Sequence, residues 1–458
     1  MRVAVLGAGY AGLTLARTLE SSLPESADLV VVDEAADHVV QHELHRVIRR
    51  PSIAEDISVS LADVLDCEIR QATVTDVDPA SGTATLDDGS ELDYDVGAIC
   101  LGAVTDFHDI PGLRGHATPL KRLAHAREIR ENYLDVLDSG GRVIIGGAGL
   151  SGVQVAGELA AMRAERERRA TEAADEDTGP VRLTIDDRDE DGDASEAKSG
   201  DAEIGPNDGD TDAHDDTDDD GDIDDHDTEI VLLEQLDSVA PTFPENFQRA
   251  VHQQLTDRGV EVRTNATVDA VETDVIDLST GEAVSYDQLI WTGGIRGPAA
   301  LRDERPVVRS DLRLAGETFV VGDAGRVVDA NGEAAPASAQ TAIREARVAA
   351  KNIRAVVEHR TEGTGGFEPR LDRYTFDSPG WLVSVGDGAV AQVGGTVLTG
   401  RAALALKTTV GAGYLGSVGA IENAVELVQE ELGLAIGDER QEDDGYTDDG
   451  DDEPVEDG

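Results

Sequence analysis

Two glycine runs are the residues of this sequence whose type and spacing could do chemistry. Gly7-x-Gly9-x-x-Gly12 follows the apolar run Val3–Leu6, and Gly147-x-Gly149-x-x-Gly152 follows Val143–Ile145. In such a run the first glycine makes a tight turn, the second lets backbone approach a pyrophosphate, and the third lets a helix pack on the preceding strand. The phosphates then meet the free N–H groups of the helix N-terminus. A carboxylate about 20 residues on takes the ribose hydroxyls. In the first copy Asp33-Glu34 closes the apolar run Leu29–Val32. A lone glycine run is also an ordinary turn. Here the strand before it, the helical pattern after it (Leu13, Leu15, Ala16, Leu19) and the acidic strand end together specify a dinucleotide.

The elements that position these runs are repeated. Ala72–Asp78 matches Ala266–Glu272, and Tyr94-Asp95 ahead of Ile99–Gly102 matches Tyr286-Asp287 ahead of Ile290–Gly293. The chain therefore holds two copies of one nucleotide-binding unit. An acidic stretch at about 166–228 interrupts the second, between its first helix and its second strand. With that stretch removed, Ile230–Leu233 and Glu234 fall where the second ribose carboxylate belongs. The expected fold class is α/β: two Rossmann-like dinucleotide-binding domains with inserted antiparallel strands, plus a small C-terminal α+β segment. Expected bounds are 1–118 for the first part of domain one, 119–300 for domain two, 301–365 for the return to domain one, 366–437 for the C-terminal segment and 438–458 for an acidic tail. Single strands are expected at Ile69–Val77 and Asp95–Leu101, and helices at 119–138, Val153–Met162 and Ala402 to about Lys407. A further helix opens near Ala339 with Ser338 as its N-cap.

The chain has 458 residues, 40% hydrophobic, and a formal charge of −57. Residues 172–228 hold 25 acidic and 3 basic residues and residues 438–458 hold 12 and 1, yet the remainder still carries −24. Such charge argues against nucleic acid as a partner. An acidic, Lys-poor, aromatic-poor surface suits a very salty cytoplasm, where screening shortens repulsion, so a halophilic source is expected. The insertion and tail read as compositionally disordered. Asp216-x-Asp218-x-Asp220-Gly221 with Asp227 has calcium-loop spacing, but Asp-rich runs match that spacing by chance and no apolar helices flank it. His42 and His45 lack a third ligand, so no metal is expected and His38–His45 reads as a loop lining the cofactor. Cys67 and Cys100 form no CxxC, which fits a reducing cytoplasm and excludes a redox-active dithiol of the usual kind. No signal peptide or membrane-spanning run is read.

Several pieces are more specific than either glycine run. They are Trp291–Pro298, Phe319-Val-Val-Gly322-Asp323, Ala339-Gln340, Ile110–Leu113 with Leu120-Lys121, and Leu398–Arg401 with Leu406-Lys407. In this combination the chain resembles the two-dinucleotide flavoproteins, and within them the type II NADH dehydrogenases, single-subunit NADH:quinone oxidoreductases. The resemblance implies FAD on the first copy and NADH on the second. Gly7, Gly9 and Gly12 would cradle the FAD pyrophosphate, and Asp33 or Glu34 the adenosine ribose. The strand at Val74 would pass the adenine, and Gly102, Gly322 and Asp323 would lie along the flavin, Asp323 on the ribityl chain. Ala339 and Gln340 would aim a helix N-terminus at the flavin, where negative charge grows on reduction, and would border the quinone.

Gly147, Gly149 and Gly152 would take the NADH phosphates and Gly293 the nicotinamide side. Glu234 favours NADH, since a carboxylate bonds a 2′-hydroxyl and repels a 2′-phosphate. Gln154 stands where the family has Glu and cannot carry a proton; Glu158 is kept. Gln154, Glu158 and Gln340 are the expected catalytic residues and Lys407 a substrate contact. A peripheral seat on the inner membrane face, or a homodimer, is expected of the C-terminal segment. Alternatives are a soluble flavin reductase of a protein such as ferredoxin, a sulfide:quinone oxidoreductase, which needs cysteines at the flavin, and a non-enzymatic scaffold.

Overall fold

The computed structural model describes residues 1–177, 228–362, 367–378, 380–421, 423–425 and 428. The calcium-loop spacing at 216–227 and the acidic tail lie outside the described residues.

The chain opens with β1 (Arg2–Leu6), α1 (Tyr10–Glu20) and β2 (Asp28–Asp33), the two strands parallel with Val3 opposite Leu29. Val3, Ala4, Val5 and Leu6 are fully buried, as a parallel sheet covered on both faces requires. A single helical turn, α2 (Arg46–Arg49), precedes β3 (Glu68–Gln71) at the sheet edge. Three antiparallel strands follow, β4 (Val74–Asp78), β5 (Thr83–Leu86) and β6 (Glu91–Asp93), and β7 (Val96–Ile99) returns beside β1. Then α3 (Leu123–Ser139) leads into the second copy. That copy comprises β8 (Gly141–Gly146), α4 (Leu150–Asp177), β9 (Thr228–Leu233), α5 (Glu245–Thr256) and β10 (Val260–Arg263). Antiparallel β11 (Val268–Val271), β12 (Val275–Leu278) and β13 (Ala283–Ser285) precede β14 (Gln288–Trp291). The chain rejoins the first sheet through β15 (Arg313–Ala315) and β16 (Thr318–Val320), and α6 (Ala339–Glu362) packs against α1. An antiparallel meander, β17 (Gly380–Val385), β18 (Gly388–Val393) and β19 (Thr396–Thr399), carries α7 (Gly400–Ser417).

The first sheet runs β15-β16-β7-β1-β2-β3, and the second runs from Thr118–Pro119 through β14, β8 and β9 to β10. Both are thus mostly parallel, each with its own antiparallel three-stranded annex. The Tyr-Asp repeat has a physical reason. Asp95 accepts the Arg2 N–H at 2.7 Å and Asp287 accepts the Arg142 N–H at 2.7 Å, fixing the start of β1 and of β8.

Three expectations need correction. The single strand over 69–77 is two strands, because the Ala72 N–H still bonds Asp33 O while the Thr73 N–H turns to Asp87. The chain leaves the parallel edge there and enters the annex. The helix begun at Ala402 does not stop near Lys407 but reaches Ser417. Gly411, Gly413 and Gly416 lower its propensity, and packing on β18 carries it. α4 runs past 166, its polar last turns supported by pairs such as Arg163–Glu167.

Candidate active site

Each glycine run has the geometry of a phosphate cradle. Gly7 sits at φ +97 and Gly147 at φ +95, conformations that suit glycine. A Cβ on Gly12 would lie 1.8 Å from Gly7 O, and one on Gly152 1.9 Å from Gly147 O, so both helices start in close contact with their loops. Around Gly9 and Gly149 nothing lies within 4 Å of such an atom. The middle glycines alone face open space, where a pyrophosphate would approach.

The carboxylates that close the second strand of each copy are latched onto these loops. Asp33 accepts the Ala8 N–H at 2.5 Å and the Ala35 N–H at 2.9 Å. Glu234 accepts the Ala148 N–H at 2.9 Å and the Leu236 N–H at 3.0 Å. Burial pushes the Asp33 carboxyl up, and the two N–H donors oppose it. Glu34 points elsewhere, to Arg122 at 2.7 Å on the exposed side. Val74 is buried at the start of the annex strand. Thr292 donates to Gly147 O at 2.8 Å, holding the second loop against Gly293.

The first cradle opens into a cleft lined by Gly9, Gly102, Lys121, Asp323 and Ala339. Gly322, at φ +71, turns the chain after β16 so that Asp323 reaches the cleft. Burial raises the Asp323 carboxyl, while Lys121 and then Arg305 lower it. Arg305 fixes this turn by donating to Asp323 O at 2.7 Å and Gly325 O at 2.8 Å. Ser338 caps α6, accepting the Thr341 N–H at 3.2 Å. The N–H groups of Ala339 and Gln340 have no intrahelical partner and sit at the cleft end of the helix. Gln340 is half-buried on that same turn.

The His-rich run builds the cleft's far wall. His38 lines it, bonding Ala8 O at 3.1 Å and the Tyr414 hydroxyl at 2.9 Å. Burial brings His38 down to about 4. Tyr10 bonds His42 Nδ1 at 2.5 Å and packs its ring 4.9 Å from Tyr414.

Behind that wall lies a buried charge cluster. Glu43 sits between Arg46 at 3.0 Å and Lys407 at 3.3 Å. Burial pushes its carboxyl up, but Lys407, His42 and Arg46 outweigh burial and hold it far below the usual range. Glu158 pairs with Arg49 at 2.6 Å and lies 3.9 Å from His45. Burial raises Glu158 and Arg49 lowers it. Arg49 also reaches Glu165 at 2.8 Å and Asp387 at 2.6 Å. It thereby ties α2, α4 and the β17–β18 turn together.

Glu158 and Lys407 thus share one electrostatic neighbourhood. Gln154 lies half-buried one turn before Glu158. Arg49, Glu43, Tyr10 and Tyr414 were not singled out from sequence. The available signal was charge at three-residue spacing (Glu43, Arg46, Arg49) inside an otherwise apolar run.

Neither cysteine is poised to react. Cys100 lies in the cleft wall with its thiol raised by burial, and Cys67 is pushed up to about 12 by burial and Glu20.

Among known proteins, the model of the pyridine nucleotide-disulphide oxidoreductase family matches residues 1–346. The type II NADH:quinone oxidoreductase of Staphylococcus aureus (strain NCTC 8325 / PS 47) is 24% identical over 447 residues, covering 92% of this chain and 96% of that protein. NDH2 from Plasmodium falciparum, solved in complex with NADH, shares the fold at a TM-score of 0.70 and 15% identity, covering 94% of this chain and 97% of that one. The sulfide:quinone oxidoreductase of Aquifex aeolicus does so at 0.65 and 16%, covering 94% of each chain.

Proposed function

Because this chain belongs to the pyridine nucleotide-disulphide oxidoreductase family, we propose that it is an FAD-dependent oxidoreductase that takes electrons from NADH and gives them to a quinone. The observation that carries this reading is what stands opposite the first of two matching cradles. The first faces a carboxylate, Asp323, and the N-terminus of α6 across its cleft. A flavin held there would accept a hydride from a nicotinamide and pass two electrons on. The open space at Gly9 and the crowding at Gly7 and Gly12 fit its pyrophosphate.

The chain's own residues bind and orient. Asp33 takes the adenosine ribose, Asp323 the ribityl hydroxyls, and the α6 N-terminus lends positive potential to the flavin ring. In the second copy Glu234 takes the 2′-hydroxyl of NADH and disfavours a 2′-phosphate. We assign Gln340 to the acceptor side and Gln154 to the junction of nicotinamide and flavin, with Glu158 and Lys407 acting from behind the cleft wall, where Arg49 and Glu43 hold them in place. Gln154 orients without transferring a proton. Sulfide chemistry is less well supported, because both thiols are held protonated and only Cys100 borders the cleft.

Among the described residues no helix is long and apolar enough to cross a membrane. Among the described side chains the exposed side of α7 is nonetheless uncharged: Ala402, Ala405, Thr409, Val410 and Gly413, with Ile421 beyond, 66% exposed. This face would rest on the lipid surface that supplies quinone. Val410→Glu with Ile421→Glu, both exposed, should lower co-sedimentation with phosphatidylcholine vesicles at molar salt several-fold. An unchanged bound fraction would remove the membrane from this reading. Loss of self-association instead would put a second copy on that face.

A further inference from the structure

One buried acid next to the first cleft has no part in the roles assigned so far. Glu345 lies on α6, one turn after the cleft-lining Ala342, and is 0% exposed. One carboxyl oxygen accepts the Gly322 N–H at 2.8 Å. The other has no hydrogen-bond partner among the described residues. A buried carboxylate with a single donor is poorly solvated, and its neutral form is favoured. The groups facing it sharpen this. Asp323, the next residue after Gly322, adds a like charge, and Arg305 opposes it. From just after β7 comes the buried Cys100 thiol. From the segment after α6 comes the buried hydroxyl of Tyr374, which also faces Thr341 and the Arg344 charge. Burial and then the charge on Glu345 push that hydroxyl up to about 12. Across from Gly322, α1 presents Ala11. Burial brings Glu345 itself up to about 8, against the Gly322 N–H.

We propose that Glu345 is the proton-coupled partner of the flavin: it binds one proton when the bound flavin takes up two electrons and releases it when they leave. The idea rests on the reading that a flavin fills the first cleft. A hydride carries two electrons and one proton, so reduction by NADH adds one negative charge beside Asp323. Above about pH 8, where Glu345 is ionised beside the oxidised flavin, one solvent proton then adds to its free carboxyl oxygen, forming an O–H bond and leaving the local charge unchanged. Quinone needs two electrons and two protons to become quinol. The hydride supplies both electrons and one proton. The second proton is balanced by breaking the Glu345 O–H bond, which regenerates the carboxylate.

The test is the pH dependence of the flavin's midpoint potential, read against a reference dye in the purified flavin-loaded full chain, with Glu345→Gln for comparison. Above about pH 8, the reduced-to-oxidised ratio at fixed potential should fall about 100-fold per pH unit in the natural protein. In Glu345→Gln it should fall about tenfold, one proton rather than two. Equal slopes would overturn the proposal. If Glu345→Gln does not fold, proton uptake by the natural protein on stoichiometric dithionite reduction decides. One more proton per flavin at pH 9 than expected for flavin alone supports the idea, and none refutes it. A purified chain that holds no flavin would defeat the underlying reading instead, so the two failures are distinct.

Discussion

Gly9→Val should give a folded but colourless protein. Gly9 sits at φ −67 and ψ −163, extended backbone open to any residue, and nothing lies within 4 Å of an added Cβ. Valine therefore strains nothing in the empty chain and only fills the space where the pyrophosphate approaches. Flavin affinity should drop on the order of 100-fold, about 3 kcal/mol, with the melting temperature of the flavin-free protein unchanged. The flavin-to-protein absorbance ratio and a thermal melt check both halves. Gly12→Val is the contrast, because its Cβ would lie 1.8 Å from Gly7 O and must push α1 off β1. A yellow Gly9→Val protein with natural flavin content would mean that the first cradle does not hold the cofactor's phosphates.

Arg49→Met should be the most destabilising single change outside the glycine loops. Arg49 and Glu158 have side chains 5% and 2% exposed, so bulk salt screens their pair little. Removing the guanidinium leaves Glu158 buried without its counter-charge, a loss of about 3–5 kcal/mol. Adding Glu158→Gln should recover much of it, since the uncompensated charge then disappears. Urea unfolding of the two single variants and the double variant at molar salt measures this coupling. By comparison, the pairs of half-buried Arg263 with the exposed Glu261 and Glu282 are worth about 0–1 kcal/mol. If Arg49→Met costs no more than those surface pairs, Arg49 is not the tie between α2, α4 and the β17–β18 turn.

What could be read from the sequence was local or repeated. The three glycine roles follow from spacing, and the structure shows the corresponding crowding and opening at each position in both copies. The Tyr-Asp repeat was visible without its reason, which is the bond from Asp95 to Arg2 and from Asp287 to Arg142. Spacing left Asp33 and Glu34 open, and only the contacts with Ala8 and Arg122 tell them apart. The charge cluster was out of reach because it joins residues 49, 158, 387 and 407, whose adjacency is set by the packing of separate elements. Glu345 was hidden for a related reason. On a helix wheel it is one more polar residue, and only the Gly322 turn shows that it is sealed inside. The far end of α7 was misread because its glycines argue against a helix when propensity is considered without the sheet beneath it.

The most direct test of the proposed electron path is an anaerobic bleaching experiment on the purified yellow protein. NADH alone should bleach the flavin, NADPH should do so far more slowly, and menaquinone added afterwards should restore the colour. A flavin that NADH leaves oxidised while dithionite reduces it would contradict the path, and so would a reduced protein that ignores menaquinone and is re-oxidised only by ferredoxin.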